Sequence, residues 1–424
     1  MNVPPRRRYA RLVGVAAAVL ALTAASACSQ GASAQWRAAG STSGSSGEAG
    51  GATAKKVPGE FKFTPATDAT DVSVLDGVTV TAQDATIETV SLTNPEGRQI
   101  KGDLDADKHT WKSTEELGYG KAYTVAVSGT NSGGQPLQQT SKFTTIKPRN
   151  LTLPYLRASD LHLLKERSTY GVGQTLQIWF DEAVPDKAAA QKLLEVKTDP
   201  PTEGGWYWHS AKKVEWRSKE YLKPGTTVSV KGNFYGKDLG NGLYGQADVS
   251  GSFKVDRSRI AIADNTTHLM DVFIDGQKVR TVPVSLGKGG ERTLPDGSKI
   301  NYWTNSGAHV VLEKAPVTRM TSASYGVTDP KDPNFYDEQI KLTAKISNTG
   351  EYFHEADWNI AAHGHANTSH GCINIGPANS RWMYDTFQPG DIVDVRNTPV
   401  RLAATNGNGA WTLSWDQWLK GSAL

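Results

Sequence analysis

The 424-residue sequence predicts a mainly-β protein of several domains. Glycine (42) and proline (20) are plentiful, as turn-rich chains require. Threonine- and valine-rich runs recur between the turn residues, the composition of short strands. The chain is also too long for one core, because single cores stop growing at about 250–300 residues.

The N-terminus is set apart by charge. The formal net charge is +3, but the first 27 residues hold Arg6, Arg7, Arg8 and Arg11 and no acid. Without them 42 basic residues face 43 acidic ones, a balance that gives no electrostatic case for nucleic-acid binding. The apolar run "LVGVAAAVLALTAA", Leu12 to Ala25, is shorter than the roughly 20 residues a membrane-spanning helix needs. A basic stretch followed by a short apolar run reads as a secretory signal. It ends in "ASAC", which resembles a bacterial lipobox with Cys28 as the lipidated residue, although Ala25 stands where leucine is usual. Ordinary cleavage near Ala-Ser-Ala is the alternative, and "RRRY" is a weak twin-arginine pattern. From Ser29 to Lys56, 19 of 28 residues are Gly, Ser or Ala. Such a coil spans about 30 Å end to end and suits a tether.

A duplication follows. "WKSTEELGYGKAYTVAV" starts at Trp111 and "WRSKEYLKPGTTVSVKG" at Trp216, 105 residues later, and Phe143 and Phe253 close the two units. A repeat of that length is a duplicated domain rather than a solenoid. Short alternating strands over about 100 residues point to an immunoglobulin-like sandwich. The repeated tryptophans are expected in the two cores, and the modules are expected to act as spacers.

The third region opens at Ile260. Asp275-Gly276 between apolar runs signals a tight hairpin. Strand-like segments continue to "DIVDVRN", and only "PANSRWMYDTF" (377–387) looks helical. The tail "WTLSWDQWLKGSAL" holds three tryptophans. It is expected to fold back on the body, with an aromatic carbohydrate platform as the alternative. The expected order is signal peptide 1–27, lipid-anchored linker 28–56, sandwiches 57–148 and 149–257, a β-rich domain 258–400, and the tail 401–424 packed on that domain.

The chemistry gathers at "HGHANTSHGCIN". Cys372 is one of two cysteines, and four of the nine histidines lie close before it: His354, His363, His365 and His370. A lone cysteine in an exported chain is either a small buried hydrophobe or a reactive thiol. A neighbouring imidazole can take the thiol proton, and a third group then orients the imidazole. Gly371 allows a tight turn that aims backbone N–H groups at a developing oxyanion. Zinc held by His363, His365, His370 and Cys372 is the competing reading, but spacings of 2, 5 and 2 match no common zinc pattern. No cofactor is called for.

These residues resemble the L,D-transpeptidase catalytic domain (YkuD type). Ser369-His370-Gly371-Cys372-Ile373-Asn374 follows its signature, with "FHEADW" upstream, and the whole layout is similar to that of the large actinobacterial members. The resemblance implies that Cys372 is the nucleophile. His354, 18 residues earlier in "His-x-x-x-Trp" with Trp358, would be the base, held by the Glu355 carbonyl. His370 would shape the site beside the sulfur. Tyr336 and Met320 would sit on a lid over "TSASYGVTDPKDPNFY", and Thr349-Gly350 on the strand leading to the base. Asn374 would bind the donor peptide, with Ser369, Gly371 and Trp358 also at the substrate. The turn Thr293-Leu294-Pro295-Asp296-Gly297 carries one leucine more than the family version.

The implied reaction is peptidoglycan 3→3 cross-linking. A tetrapeptide donor stem would acylate Cys372 and release D-alanine, and the amine of an acceptor stem would resolve the thioester. Carbapenems would acylate the same thiol. Stem peptides would be the partners and the membrane would be met through the lipid anchor, with no nucleic acid, in an extracytoplasmic position facing the wall. Two alternatives stay open. Water or another amine could take the acyl group, giving an L,D-carboxypeptidase in the first case. Or the chain could be a non-catalytic wall-binding lipoprotein.

Overall fold

A computed structural model describes residues 58–294 and 296–424. The expected signal peptide, lipidation site Cys28 and linker lie outside the described residues, as does Pro295 of the Thr293–Gly297 turn.

Two β-sandwiches come first. In the first, strands Glu60–Thr64, Thr79–Gln83, Thr110–Ser113 and Gly102–Leu104 form one sheet, and five strands around Ala122–Asn131 form the other. Trp111 and Phe143 are buried between them. In the second, a sheet of Pro154–Arg157, Leu176–Phe180, Lys213–Ser218 and Gly204–Trp208 faces a sheet of Ser168–Tyr170, Val249–Val255, Thr227–Gly232 and Leu194–Asp199. Trp216 and Phe253 fill that core. The repeated aromatics are therefore core residues.

The third region is built on a nine-stranded sheet in which most neighbours run antiparallel. Asp275-Gly276 makes the expected two-residue hairpin, with Ile274 opposite Gln277 and φ of 49° and 82° at the two turn residues. Those positive angles are what an Asp-Gly pair tolerates. The α-helix directly after the cysteine strand runs Pro377–Thr386, with proline in its first turn, where a missing N–H costs nothing.

The tail departs from expectation. It does touch the third region, where Leu402 N–H donates to the Ser306 carbonyl at 2.9 Å. Its last turn, helix Trp415–Leu419, packs on the second sandwich instead. Trp418 is fully buried, its indole N–H donates to the Gly205 carbonyl at 2.9 Å, and its ring stacks on Tyr207 at 4.9 Å. The cause is a buried cation. Arg217 projects from strand Lys213–Ser218 away from the sandwich core, and its guanidinium lies 4.8, 5.2 and 5.0 Å from the rings of Trp411, Trp415 and Trp418. Arginine over indole is the favoured cation–π pair. The tail tryptophans are thus turned toward Arg217, with Trp418 fully buried and Trp411 and Trp415 half-buried. Trp418→Ala should lower folding stability by about 3–5 kcal/mol, because it opens a cavity and uncovers Arg217. A urea titration followed by circular dichroism checks this as a fall in the unfolding midpoint.

Candidate active site

Two strands position the chemistry. Tyr352–Glu355 and Ile373–Ile375 run parallel, with His354 opposite Asn374. Side chains alternate faces along a strand. Phe353, Ile373 and Ile375 enter the core. His354, Asn374 and Cys372 emerge together on the other side, where they line one cavity.

Cys372 sits in the bend just before its strand. Gly371 there has φ of +132°, a conformation in which a side chain would be strained. Ser369 Oγ locks the bend by donating to the Cys372 carbonyl at 2.6 Å and accepting the Gly371 N–H at 3.1 Å. Ser369 reaches the cavity wall, but its hydroxyl is committed to the bend rather than to a substrate. Gly371 has likewise used its N–H. The N–H groups of Cys372 and His370 have no partner among the described residues and remain for an oxyanion.

The thiol is half-buried, and Sγ donates to the Gly350 carbonyl at 3.7 Å. Burial pushes its pKa up to about 12; the Tyr352 N–H opposes this and the Glu351 carboxylate adds to it. Glu351 is itself held by the Asn305 N–H at 2.6 Å and lies 3.5 Å from buried His309.

His354 is 4% exposed. Its Nδ1–H donates to the Glu355 carbonyl at 2.7 Å, which leaves the lone pair on Nε2. Burial pulls its pKa down to about 4, against the Glu355 contact and with a smaller contribution from His363. Trp358 lies over the imidazole at 5.9 Å, nearly parallel, with its outer part exposed. Burial thus favours the neutral form of both the thiol and the imidazole.

Two cavities meet at Cys372. One of about 150 Å³ is walled by Met320, Tyr336, His354, Trp358 and Asn374. The other, about 500 Å³, is walled by Asn301, Trp303, Tyr325, Thr349 and Gly350. Tyr336 and His370 border both. His370, expected to shape the site beside the sulfur, lines both cavities with Cys372. Its Nε2 accepts from Lys288 Nζ at 3.1 Å, and its ring lies 5.2 Å from Tyr336 and 5.5 Å from Tyr302. Burial, helped by Lys288, pulls its pKa down to about 4. The thiol hydrogen-bonds the Gly350 carbonyl, while His370 meets Lys288.

The lid segment has internal ties. Its turn Ser322–Tyr325 is fixed by Ser322 Oγ, which donates to the Val327 carbonyl at 2.8 Å and accepts the Tyr336 N–H at 3.1 Å. Arg292 pairs with Asp332 at 2.5 Å, and Val327 packs with Leu294, Ile300 and Tyr302.

The histidine cluster of the sequence disperses. His363 Nε2 meets Asn359 Oδ1 at 3.0 Å and His365 is exposed. Among the described residues no group of three or more His, Cys, Asp or Glu side chains could hold a metal. Sequence reasoning missed Lys288, Glu351, Asn305 and Asn406. Only Glu351 carried a signal, as a carboxylate directly after Thr349-Gly350.

Residues 258–395 match the family described as L,D-transpeptidase catalytic domain, and residues 69–238 match the bacterial Ig domain family, a span that crosses both sandwiches. The chain is 37% identical to L,D-transpeptidase 2 of Mycobacterium tuberculosis over 84% of this chain and 83% of that one. It is 31% identical to L,D-transpeptidase 5 of the same species over 85% and 76%. A solved L,D-transpeptidase from Mycobacterium smegmatis is 27% identical, with a TM-score of 0.44 over 57% of this chain and 99% of that one.

A thiol raised to about 12 predicts a particular pH response. Alkylation of Cys372 by iodoacetamide should climb about tenfold per pH unit from neutrality to about pH 10, because only the thiolate reacts. Mass spectrometry of the labelled protein checks this, and a plateau below about pH 8 would mean a preformed thiolate.

Proposed function

Because the chain belongs to the L,D-transpeptidase family, we propose that it is a peptidoglycan L,D-transpeptidase that forms 3→3 cross-links through a thioester on Cys372. The observation that carries this reading is a desolvated thiol and an imidazole of fixed tautomer lining one cavity. His354 Nδ1 is tied to Glu355 O, so Nε2 is the atom free to accept the Sγ proton. The thiol turns from the Gly350 carbonyl toward Nε2 as the proton leaves.

The sulfur then attacks the carbonyl of the third residue of a tetrapeptide stem. The N–H groups of Cys372 and His370 receive the oxyanion. Collapse breaks the bond to the terminal D-alanine, whose departing nitrogen takes the proton from His354. The acyl group stays on sulfur. In the second half, the side-chain amine of another stem attacks the thioester, His354 takes its proton, and the thiol is restored. The proton count balances at each step, and no cofactor enters.

Two cavities meeting at one sulfur suit a reaction that must seat two stems in turn, and so favour an amine acceptor over water. Tyr336, Met320, Trp358 and Asn374 border one of them and Thr349-Gly350 the other. Cys28 as a lipid anchor, with the linker and sandwiches behind it, would hold the site outside the membrane and facing the wall.

Intact-mass spectrometry with a carbapenem tests the reading. Wild type should gain one covalent adduct. Cys372→Ala should gain none, and His354→Ala should acylate about 10²–10⁴-fold more slowly, the usual contribution of a positioned base. An adduct indifferent to Cys372 would overturn the assignment.

A further inference from the structure

The thiol depends on a turn that the catalytic sheet does not hold alone. Residues 347–350 join strands Asp337–Lys345 and Tyr352–Glu355. Gly350, at φ of +96°, offers its carbonyl to Sγ, and the Tyr352 N–H two residues later favours the thiolate. A shift of this turn therefore moves both backbone groups that act on the sulfur, together with the rim of the larger cavity.

Two side chains from outside the sheet pin the turn. Asn406, in the C-terminal tail and 8% exposed, accepts the N–H of Asn348 at 2.8 Å and that of Thr349 at 3.2 Å. Its own amide donates to Thr349 Oγ1 at 2.8 Å. Asp160, in the second sandwich, accepts from Asn348 Nδ2 at 2.5 Å while its other oxygen meets Lys213 Nζ at 2.5 Å. Asp160 is in turn fixed by Arg157, which donates to its carbonyl at 2.7 Å. Two residues past Asn406, Asn408 reaches the other way: it donates to the Ala158 carbonyl at 2.9 Å and accepts from Gln177 at 3.0 Å, both in the second sandwich. The tail thus stitches the sandwich to the turn beside the sulfur.

We infer that Asp160 and Asn406 are positioning residues for the Cys372 thiol, so that the second sandwich and the tail are working parts of the active site and not spacers. The inference rests on Cys372 being the nucleophile. It is local: it concerns the acceptor oxygen that Asp160 presents to Asn348, not the charge it presents to Lys213.

That distinction supplies the test, run on the full chain with Asp160→Leu, Asp160→Asn and Asn406→Ala. Three quantities are read for each: the rate of carbapenem adduct formation, the pH profile of iodoacetamide alkylation, and the melting temperature. Asp160→Leu and Asn406→Ala should acylate at least about tenfold more slowly, as displacement of a reacting group costs. Their alkylation midpoint should shift, because the Gly350 carbonyl and the Tyr352 N–H move together relative to the sulfur. Asp160→Asn keeps an acceptor for Asn348 and should acylate within about threefold of wild type, even as loss of the charge facing Lys213 lowers its melting temperature. The inference is overturned if Asp160→Asn is as slow as Asp160→Leu. It is also overturned if Asp160→Leu and Asn406→Ala acylate like wild type and differ only in melting temperature. Should wild type take no carbapenem, the proposed function fails, and the alkylation profiles alone decide: a midpoint shifted in Asp160→Leu and Asn406→Ala but not in Asp160→Asn upholds the positioning role.

Discussion

Everything at the site depends on the parallel pairing of two short strands, Tyr352–Glu355 and Ile373–Ile375. Parallel neighbours cannot be joined by a tight hairpin; the chain must cross over and return. Here the return is the segment 356–372, which carries the histidine-rich stretch and ends in the bend at Cys372. The separation of His354 and Cys372 in sequence is therefore the length of a crossover. Register does the rest. With His354 opposite Asn374, the alternation of the pleat sends Phe353 and Ile373 into the core and brings imidazole and thiol to one side. A slip by one residue would bury the base among the apolar side chains and expose Phe353 in its place.

Burial then decides the kind of chemistry. A cysteine beside a histidine can rest as a thiolate–imidazolium pair or as two neutral groups. Desolvation disfavours both ions of the pair, and here it lifts the thiol and lowers the imidazole. The Glu351 carboxylate, placed on the strand side of the sulfur by Asn305, makes a resting thiolate still less favourable.

Much of this was legible in the sequence, because the responsible signals are local. The Asp-Gly hairpin, the proline-led helix and the repeated tryptophans each follow from residues within one element. The bend at Gly371 and the spacing from His354 to Cys372 are likewise written along the chain. What stayed hidden acts across it. Lys288 is 82 residues from His370, Asn406 is 57 from Thr349, and Asp160 is 188 from Asn348. Asparagine and aspartate are also common in loops for local reasons, so nothing in their own neighbourhoods marked these as different. His370 shows the same. Its place near Cys372 suggested a role beside the sulfur, and the partner it meets, Lys288, lies far off in the chain.

The tail's additional contact with the second sandwich was hidden for a related reason. Strand Lys213–Ser218 alternates charged and apolar residues, which reads as a sheet with one face in water. In the structure that charged face is covered: Lys213, Glu215 and Arg217 are all buried. Glu215 meets His209 at 2.7 Å and Thr175 at 2.6 Å, Lys213 meets Asp160, and Arg217 lies within the three tryptophans. Buried charges stripped of their partners cost several kcal/mol each, about 3–5 where a pair is broken. The tail tryptophans are what cover Arg217 on this face. Once the tail is fixed there by Trp418, its upstream residues Asn406 and Asn408 have little freedom in where they fall. The charged face of a module distant in sequence thus fixes the path of the chain that pins the turn at the sulfur.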